Sequence, residues 1–295
     1  MRYYVLDVFT DEMFKGNPLA VVLDADGLSS ESMQALAREF NLSETTFVLQ
    51  PRSRDAERRI RIFTPVLELP LAGHPVIGTW FLLASEKLVT AGEGWNTFRQ
   101  EVLAGILPVD IRVESGRVSE VWMTQATPQY LEVLDTAELL HAIGLKREDS
   151  HAEAALPVQF VSTGVKQLML PLKQREALAR IQPNASQLSS ILGRYDSHLL
   201  YAFAEDQEDI YARAFFSAGP AFFEDPATGS AAGALTAYLW KHRSRSSLRV
   251  NQGEEMGRGA IIRSRISDDG KTVQVGGTAV IVAQGEIRPI SMRSL

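Results

Sequence analysis

Glu224-Asp-Pro-Ala-Thr-Gly-Ser-Ala-Ala-Gly-Ala-Leu-Thr-Ala-Tyr-Leu239 is the stretch on which the reading of this chain turns. It has a counterpart 156 positions upstream, Glu68-Leu-Pro-Leu-Ala-Gly-His-Pro-Val-Ile-Gly-Thr-Trp-Phe-Leu-Leu83. Both follow Glu-x-Pro-x-x-Gly, then His or Ser, then small residues and an apolar run. Each predicts a turn feeding a helix: Pro and Gly hold the turn, and the first helical amides have no intrahelical acceptor. Two such helix starts facing each other would make a pocket of free N–H groups and positive dipole ends, suited to a carboxylate or an anionic intermediate. For one copy alone, an ordinary buried helix with glycine at its contacts is the plainer account. A repeat at half the chain length favours duplicated domains with a site between them.

The whole chain bounds what that site can do. At 295 residues it is one large domain or two of ordinary size, and 45% hydrophobic with 22% charged residues is a soluble globular composition. A net charge of −6 argues against nucleic acid or an anionic membrane surface as partner. The cluster Arg52, Arg54, Arg58, Arg59 and Arg61 is broken by Asp55 and Glu57 and alternates with Ile60 and Ile62, so it is expected to be the solvated face of a strand. There is no cysteine, which excludes disulfides, zinc–thiolate sites and a thiol nucleophile. His74, His141, His151, His198 and His242 show no metal-ligand spacing, and no metal is expected. The opening Met1-Arg-Tyr-Tyr-Val-Leu-Asp7 carries charge inside its apolar run, unlike a signal peptide, and no apolar run reaches a membrane span. A cytoplasmic enzyme is the expectation.

In the first half, strands are predicted over Tyr3–Phe9 and Pro18–Leu23, joined through the loop Phe14-Lys-Gly-Asn-Pro18. Ser29 or Ser30 reads as an N-cap, Met33, Leu36, Ala37 and Phe40 follow at helical spacing, and Asn41 reads as a C-cap. Thr45–Leu49 is then a buried strand with Glu44 at its mouth. A carboxylate there is costly unless hydrogen-bonded, and such burial favours its protonated form, so it can give and take a proton near neutral pH. A surface Glu in a turn fits the local pattern as well. Arg59–Phe63 alternates, Val76–Leu88 is a helix apolar all round, and strands at Thr97–Leu103, Leu107–Val113 and Gly116–Met123 are available to wrap it.

Thr127-Pro128 begins a less regular link, so the boundary falls there: residues 1–127 as one domain and 128–284 as the next. The second half repeats the order of the first. A short helix at Ala137–Ile143 precedes the stretch Pro157–Gly164, read as a strand and a Gly-containing loop, and a strand at Gln167–Leu172, with helices at Arg175–Ile181 and Ser186–Leu192. Strands at Leu199–Phe203 and Ala212–Phe216 lead into the second motif, whose helix should run from Gly229 to Lys241. Strands at Leu248–Asn251, Ala260–Ile266, Thr272–Val275 and Ala279–Val282 follow. The expected class is α+β, each half a curved sheet around its own apolar helix.

Taken jointly and in order, several motifs resemble the PhzF family, the phenazine-biosynthesis isomerase and its relatives. They are Gly16-Asn17-Pro18, Asn41-Leu42-Ser43-Glu44-Thr45, Phe63-Thr64-Pro65, Ala72-Gly73-His74-Pro75 and Glu224-Asp225-Pro226-Ala227-Thr228-Gly229-Ser230. The match spans nearly the whole chain. The segment from Gln252-Gly253 to Gly257-Arg258 also resembles the family, with no role attached to it. The resemblance implies the diaminopimelate epimerase fold: two pseudo-repeated domains, each a barrel-like sheet around a central helix, with the active site in the cleft between them. It also implies that a terminal strand at about 285–295 can return to the first domain. In the thiol-using epimerases of that fold one cysteine sits at each helix start; here Gly73-His74 and Gly229-Ser230 occupy those places, and two-thiol racemisation is excluded. What the family implies instead is Glu44 as the proton-transferring acid/base, with His74 and Asp225 holding the substrate's polar groups. Ser43, Gly73, Gly229 and Ser230 would line the site for a small carboxylate substrate. The family's isomerases use no cofactor and are typically homodimers.

A helix dipole disfavours imidazolium at its N-terminus, so His74 is expected to be neutral. Two other readings stand beside the isomerase. Ser230, His74 and Asp225 supply the residue types of a serine hydrolase, although Gly229-Ser-Ala-Ala-Gly233 is not a Gly-x-Ser-x-Gly elbow. A non-catalytic protein that only holds a carboxylate would also use this fold.

Overall fold

The computed structural model describes residues 1–151, 155–218 and 221–288. Its first half runs β1 (Arg2–Val8), β2 (Asn17–Val22), α1 (Ser30–Phe40), β3 (Glu44–Leu49), β4 (Arg58–Phe63) and β5 (Glu68–Leu69). These are followed by α2 (Gly73–Ser85), β6 (Gly94–Val102), β7 (Gly105–Glu114) and β8 (Arg117–Thr124). The chain continues with β9 (Gln129–Val133), α3 (Thr136–Ala142), β10 (Gln159–Ser162), β11 (Lys166–Leu172), α4 (Arg175–Ala179) and α5 (Ala185–Gly193). Next come β12 (Leu199–Asp206), β13 (Asp209–Ala218), β14 (Ala221–Asp225) and α6 (Gly229–Arg243). It ends with β15 (Ser247–Gln252), β16 (Ala260–Ile266), β17 (Val273–Gly277) and β18 (Ala279–Glu286). The class is α+β.

The chain divides into two compact units, Met1–Met123 with Gly277–Leu295, and Thr124–Gly276. In the first, β1 is antiparallel to both β18 and β2, and β2 is parallel to β3. β3 is antiparallel to β4, β4 is parallel to β6, and β6, β7 and β8 follow as antiparallel neighbours. In the second, β9, β10 and β11 are antiparallel, and β11 is parallel to β12. β12 is antiparallel to β13, β13 is parallel to β15, and β15, β16 and β17 are antiparallel. The succession of senses is the same in both. Each unit also carries a side hairpin on its middle strand, β5 on β4 and β14 on β13, just before its apolar helix. Residues 289–295 of the segment expected to return to the first domain lie outside the described residues, and β18 before them pairs with β1.

Each unit has one helix apolar all round. α2 buries every residue from His74 to Trp80, with Leu82 and Leu83. A helix with no polar stripe must be surrounded, and α2 touches β1, β2, β3, β7 and β18. α6 buries Gly229 and every residue from Ala231 to Leu239, and packs on β10, β11, β15 and β16. The outer faces are covered by amphipathic helices. α1 lays Met33, Ala37, Leu36 and Phe40 on Val22, Phe47, Leu49 and Phe63. Leu139, Leu178, Leu188 and Leu192 of α3, α4 and α5 pack with Phe160, Leu168, Leu200 and Phe215. Full burial of one such side chain contributes about 1.5–3 kcal/mol. Trp80 is wholly buried, stacks on Phe98 at 5.3 Å and donates its indole N–H to Gln100.

Three local readings need correcting. The link after Thr127 contains a strand, β9, which pairs with β10. α2 begins at Gly73 and ends at Ser85, three residues earlier at each end than the apolar run implied. Among the arginines, Arg52 and Arg54 are exposed, but Arg58, Arg59 and Arg61 are half-buried. Arg58 donates to the Leu88 carbonyl, Arg59 lies 3.6 Å from Glu101, and Arg61 is bonded to Glu68.

Candidate active site

In the first unit, Ser29 caps α1 by accepting from the Ser32 amide, and Asn41 closes it in the left-handed conformation at φ 50°. That closure turns the chain directly into β3, whose first residue is Glu44. His74 is the second residue of α2. These two elements bring Nε2 of His74 to 3.2 Å from Oε2 of Glu44, with only 8% and 16% of the side chains exposed. The pair is within ion-pair reach but outside hydrogen-bond angles. Burial pushes the His74 pKa down to about 3, so the imidazole is neutral at neutral pH. With the imidazole neutral, the contact between the two side chains is not an imidazolium–carboxylate ion pair.

Gly73 opens α2; Ala72 before it offers no side-chain cap, and the first turn carries no acidic residue. The amides there are left for another acceptor. Ser43 donates its hydroxyl to Asn17 Oδ1 at 3.0 Å and toward the Pro18 carbonyl at 3.4 Å. The Gly16-Asn17-Pro18 loop is built for that contact. Gly16 sits at φ +59°, and a Cβ on it would lie 2.2 Å from the Val8 carbonyl oxygen.

In the second unit, Asp225 ends β14 and is buried, with 8% of the residue exposed. Thr228, three residues on, donates its hydroxyl to Asp225 Oδ2 at 2.5 Å. Gly229 and Ser230 are the first residues of α6; Gly229 is buried and Ser230 half-buried. Thr228 at the N-cap makes no side-chain cap bond, and no acidic residue stands in the first turn, as in α2. Gln125 lies along this turn. Its amide donates to the Gly229 carbonyl at 3.1 Å and its oxygen accepts from Thr163 at 2.7 Å. A Cβ on Gly233 would fall 1.9 Å from Gln125 Oε1. The Gly229–Gly233 run is therefore a helical first turn packed on a carboxamide, not a nucleophile elbow. The expected site residues thus fall into two sets, Ser43, Glu44, Gly73 and His74 on the first unit and Asp225, Gly229 and Ser230 on the second. Among the described residues no group of three or more His, Asp or Glu side chains gathers as metal ligands, and no helix is long and apolar enough to cross a membrane.

Sequence reasoning missed two features. The first is a duplicated clamp. Arg61 bonds Glu68 through Nε at 2.7 Å and Nη2 at 2.6 Å, and its guanidinium lies 5.0 Å from the Phe63 ring centre. Arg213 bonds Glu224 through Nε at 2.8 Å and Nη2 at 2.7 Å, 4.9 Å from the Phe215 ring centre. In each unit the clamp ties the motif's first Glu to the strand before it, fixing the turn that launches the helix. The signal was present as Arg-x-Phe preceding both motifs. The second feature is Gln252, whose side chain holds the Asp225–Thr228 turn.

The strand registers also show where the two units differ. Phe63 pairs with Glu68 and Thr45, and Phe215 pairs with Glu224 and Leu200. By these registers the place of Glu44 is taken in the second unit by Leu199, and the place of Asp225 is taken in the first by Leu69.

Residues 6–285 match the family model described as phenazine biosynthesis-like protein. The chain is 36% identical over 290 residues to trans-2,3-dihydro-3-hydroxyanthranilate isomerase of Pseudomonas aeruginosa, covering 96% of this chain and 98% of that one. The crystal structure of a PhzF-family phenazine biosynthesis protein of Bacillus anthracis superposes with a TM-score of 0.87 at 31% identity, covering 97% and 98% of the two chains. A probable proline racemase of Agrobacterium radiobacter shares the fold, with a TM-score of 0.69 at 12% identity and coverage of 99% and 94%.

Proposed function

The chain belongs to the phenazine biosynthesis-like (PhzF) family and is an isomerase, and from that premise we propose that it shifts a proton on a small carboxylate-bearing substrate, with Glu44 as the acid/base and no cofactor. The observation that carries this reading is the contact of Glu44 with the neutral, buried imidazole of His74. Glu44 as carboxylate takes a proton from one carbon, leaving the electron pair delocalised over the substrate's unsaturated system. The resulting carboxylic acid returns the proton to another carbon of that system on the same face. One group suffices if the intermediate's charge is stabilised. The uncapped amides at the starts of α2 and α6 supply that stabilisation, and His74 donates or accepts one hydrogen bond as its tautomer allows. Asp225 holds a polar group of the substrate, and Ser43, Gly73, Gly229 and Ser230 take its carboxylate. A homodimer is part of the same reading, checked by sedimentation.

The test is incorporation of deuterium from heavy water into a panel of unsaturated and 2-amino carboxylates, read by mass spectrometry. The panel includes trans-2,3-dihydro-3-hydroxyanthranilate, the substrate in the name of the Pseudomonas aeruginosa relative. Uptake at carbon in one of them, lost in Glu44→Gln, supports the proposal. No uptake from any of them, or undiminished uptake in Glu44→Gln, sinks it.

A further inference from the structure

Gln252 is completely buried, and its carboxamide makes four hydrogen bonds. Oε1 accepts from the Tyr201 hydroxyl at 2.9 Å and from the Thr228 amide at 3.1 Å. Nε2 donates to the Asp225 carbonyl at 2.8 Å and to Thr228 Oγ1 at 2.9 Å. These bonds have a fixed direction. A carboxamide oxygen cannot donate, so Tyr201 must. Nε2 cannot accept, so it occupies a lone pair of the Thr228 hydroxyl. That hydroxyl then has one outlet for its own proton, Asp225 Oδ2, 2.5 Å away. Burial, reinforced by the nearby Asp225 charge, raises the pKa of Tyr201, which keeps the phenol a donor. Gly253 seals the arrangement: it sits at φ +82°, and a Cβ there would lie 2.5 Å from the Pro226 carbonyl oxygen and 2.6 Å from that of Arg258.

We propose that Thr228 and Gln252 are positioning residues for Asp225: they fix the polarity of a buried hydrogen-bond chain that reaches one oxygen of its carboxylate and so help set the rotamer in which Asp225 meets the substrate. This rests on the reading of Asp225 as a substrate-holding group. It gives the segment beginning at Gln252 a task that its place in sequence, 27 residues beyond Asp225, does not reveal. A fully satisfied buried network of this kind specifies one geometry, and each missing member leaves another polar group stranded.

The experiment has two arms. The first is crystal structures of Thr228→Val, Thr228→Ser and Gln252→Glu. Val keeps the shape of Thr and removes the hydroxyl; Glu keeps the shape of Gln and, ionised, removes the donors to Asp225 and Thr228. The expected result is an Asp225 carboxylate that changes or splits its rotamer in Thr228→Val and Gln252→Glu but not in Thr228→Ser, with α6 unmoved. An Asp225 side chain in the same single position in Thr228→Val and Gln252→Glu overturns the proposal. The second arm is steady-state kinetics with trans-2,3-dihydro-3-hydroxyanthranilate as probe. Thr228→Val is expected to raise KM about tenfold with little change in kcat, Thr228→Ser to restore it, and Thr228→Val to add nothing in an Asp225→Asn background. Full additivity in that background overturns the proposal, because a merely structural threonine would act independently of Asp225. If the unmodified protein leaves this probe untouched, the probe is wrong for the proton-shift reading, and the rotamer arm still decides the positioning role.

Discussion

Nε2 of His74 stands 3.2 Å from Oε2 of Glu44, and burial rather than charge governs the imidazole. The folded-state pKa of about 3 lies below the ordinary value of 6.5. Between those two values the unfolded chain binds the proton that the folded one refuses, so stability falls as pH drops through about 6.5 and goes on falling toward about 3. The slope from this one group approaches about 1.4 kcal/mol per pH unit in the middle of that window. Urea titrations at pH 7 and pH 5 should therefore show a larger loss in the unmodified protein than in His74→Gln. An NMR titration should find the His74 ring signals unchanged from pH 8 to pH 5. A His74 midpoint near 6.5 would contradict both expectations.

Replacing Glu44 by Gln keeps the volume and removes the group proposed to carry the proton. Turnover is expected to fall about 10²–10⁴-fold, the usual contribution of one general acid/base. Binding of a substrate carboxylate, measured by calorimetry, should change only a few-fold, because the carboxylate is assigned to the helix starts and Ser43. A variant that lost binding and turnover equally would make Glu44 a binding group.

The two arginine clamps are alike in bonding but unlike in surroundings. Arg213 and Glu224 expose only 10% and 17% of their side chains, and Arg213 also donates to the Leu178 carbonyl at 2.7 Å and the Ile181 carbonyl at 3.3 Å. Arg61 and Glu68 expose 15% and 25%, and Arg61 also donates to Met33 Sδ and the Ser30 hydroxyl. Arg213→Met should cost about 3–5 kcal/mol in urea unfolding, since it strands a buried carboxylate. Arg61→Met should cost about 1–2 kcal/mol, since water reaches Glu68 more readily. Pairing Arg213→Met with Glu224→Leu should recover most of the loss.

Two glycines should rank predictably in thermal melts. Gly16→Ala forces a side chain into φ +59° and against the Val8 backbone, neither of which can yield cheaply. About 3 kcal/mol or more should be lost. Gly233→Ala meets the end of the Gln125 side chain, which can swing away at the expense of its bonds to Thr163 and the Gly229 carbonyl. About 1–3 kcal/mol should be lost there.

Much of this fold is legible in the sequence because the signals are local. Ser29 and Asn41 bound α1 as their cap chemistry implies, and the run Gly229–Leu239 is apolar enough to demand enclosure. β9 escaped because its exposure does not alternate and Pro128 precedes it. β14 escaped because it ends in two acidic residues, one of which is neutralised by Arg213 on the neighbouring strand. The same kind of contact misled the reading of Arg61: its partner lies seven residues away across a turn whose register no composition reveals. Of the candidate site residues, Gly73, His74, Asp225, Gly229 and Ser230 stand in the repeated motif and Ser43 and Glu44 in a separate run; the supports of neither group could be read from sequence. Glu44 meets His74 from 30 positions away, and Gln252 reaches Thr228 from 24.

The registers that put Leu199 in the place of Glu44 and Leu69 in the place of Asp225 bear on ancestry as well as on chemistry. A gene fused from two identical copies would have begun with the scaffold doubled and every reactive group doubled with it. What survives is doubled framing, down to the arginine staples, around groups now kept once each. Stitching together two copies of either half would restore the ancestral symmetry and forfeit one kind of carboxyl group.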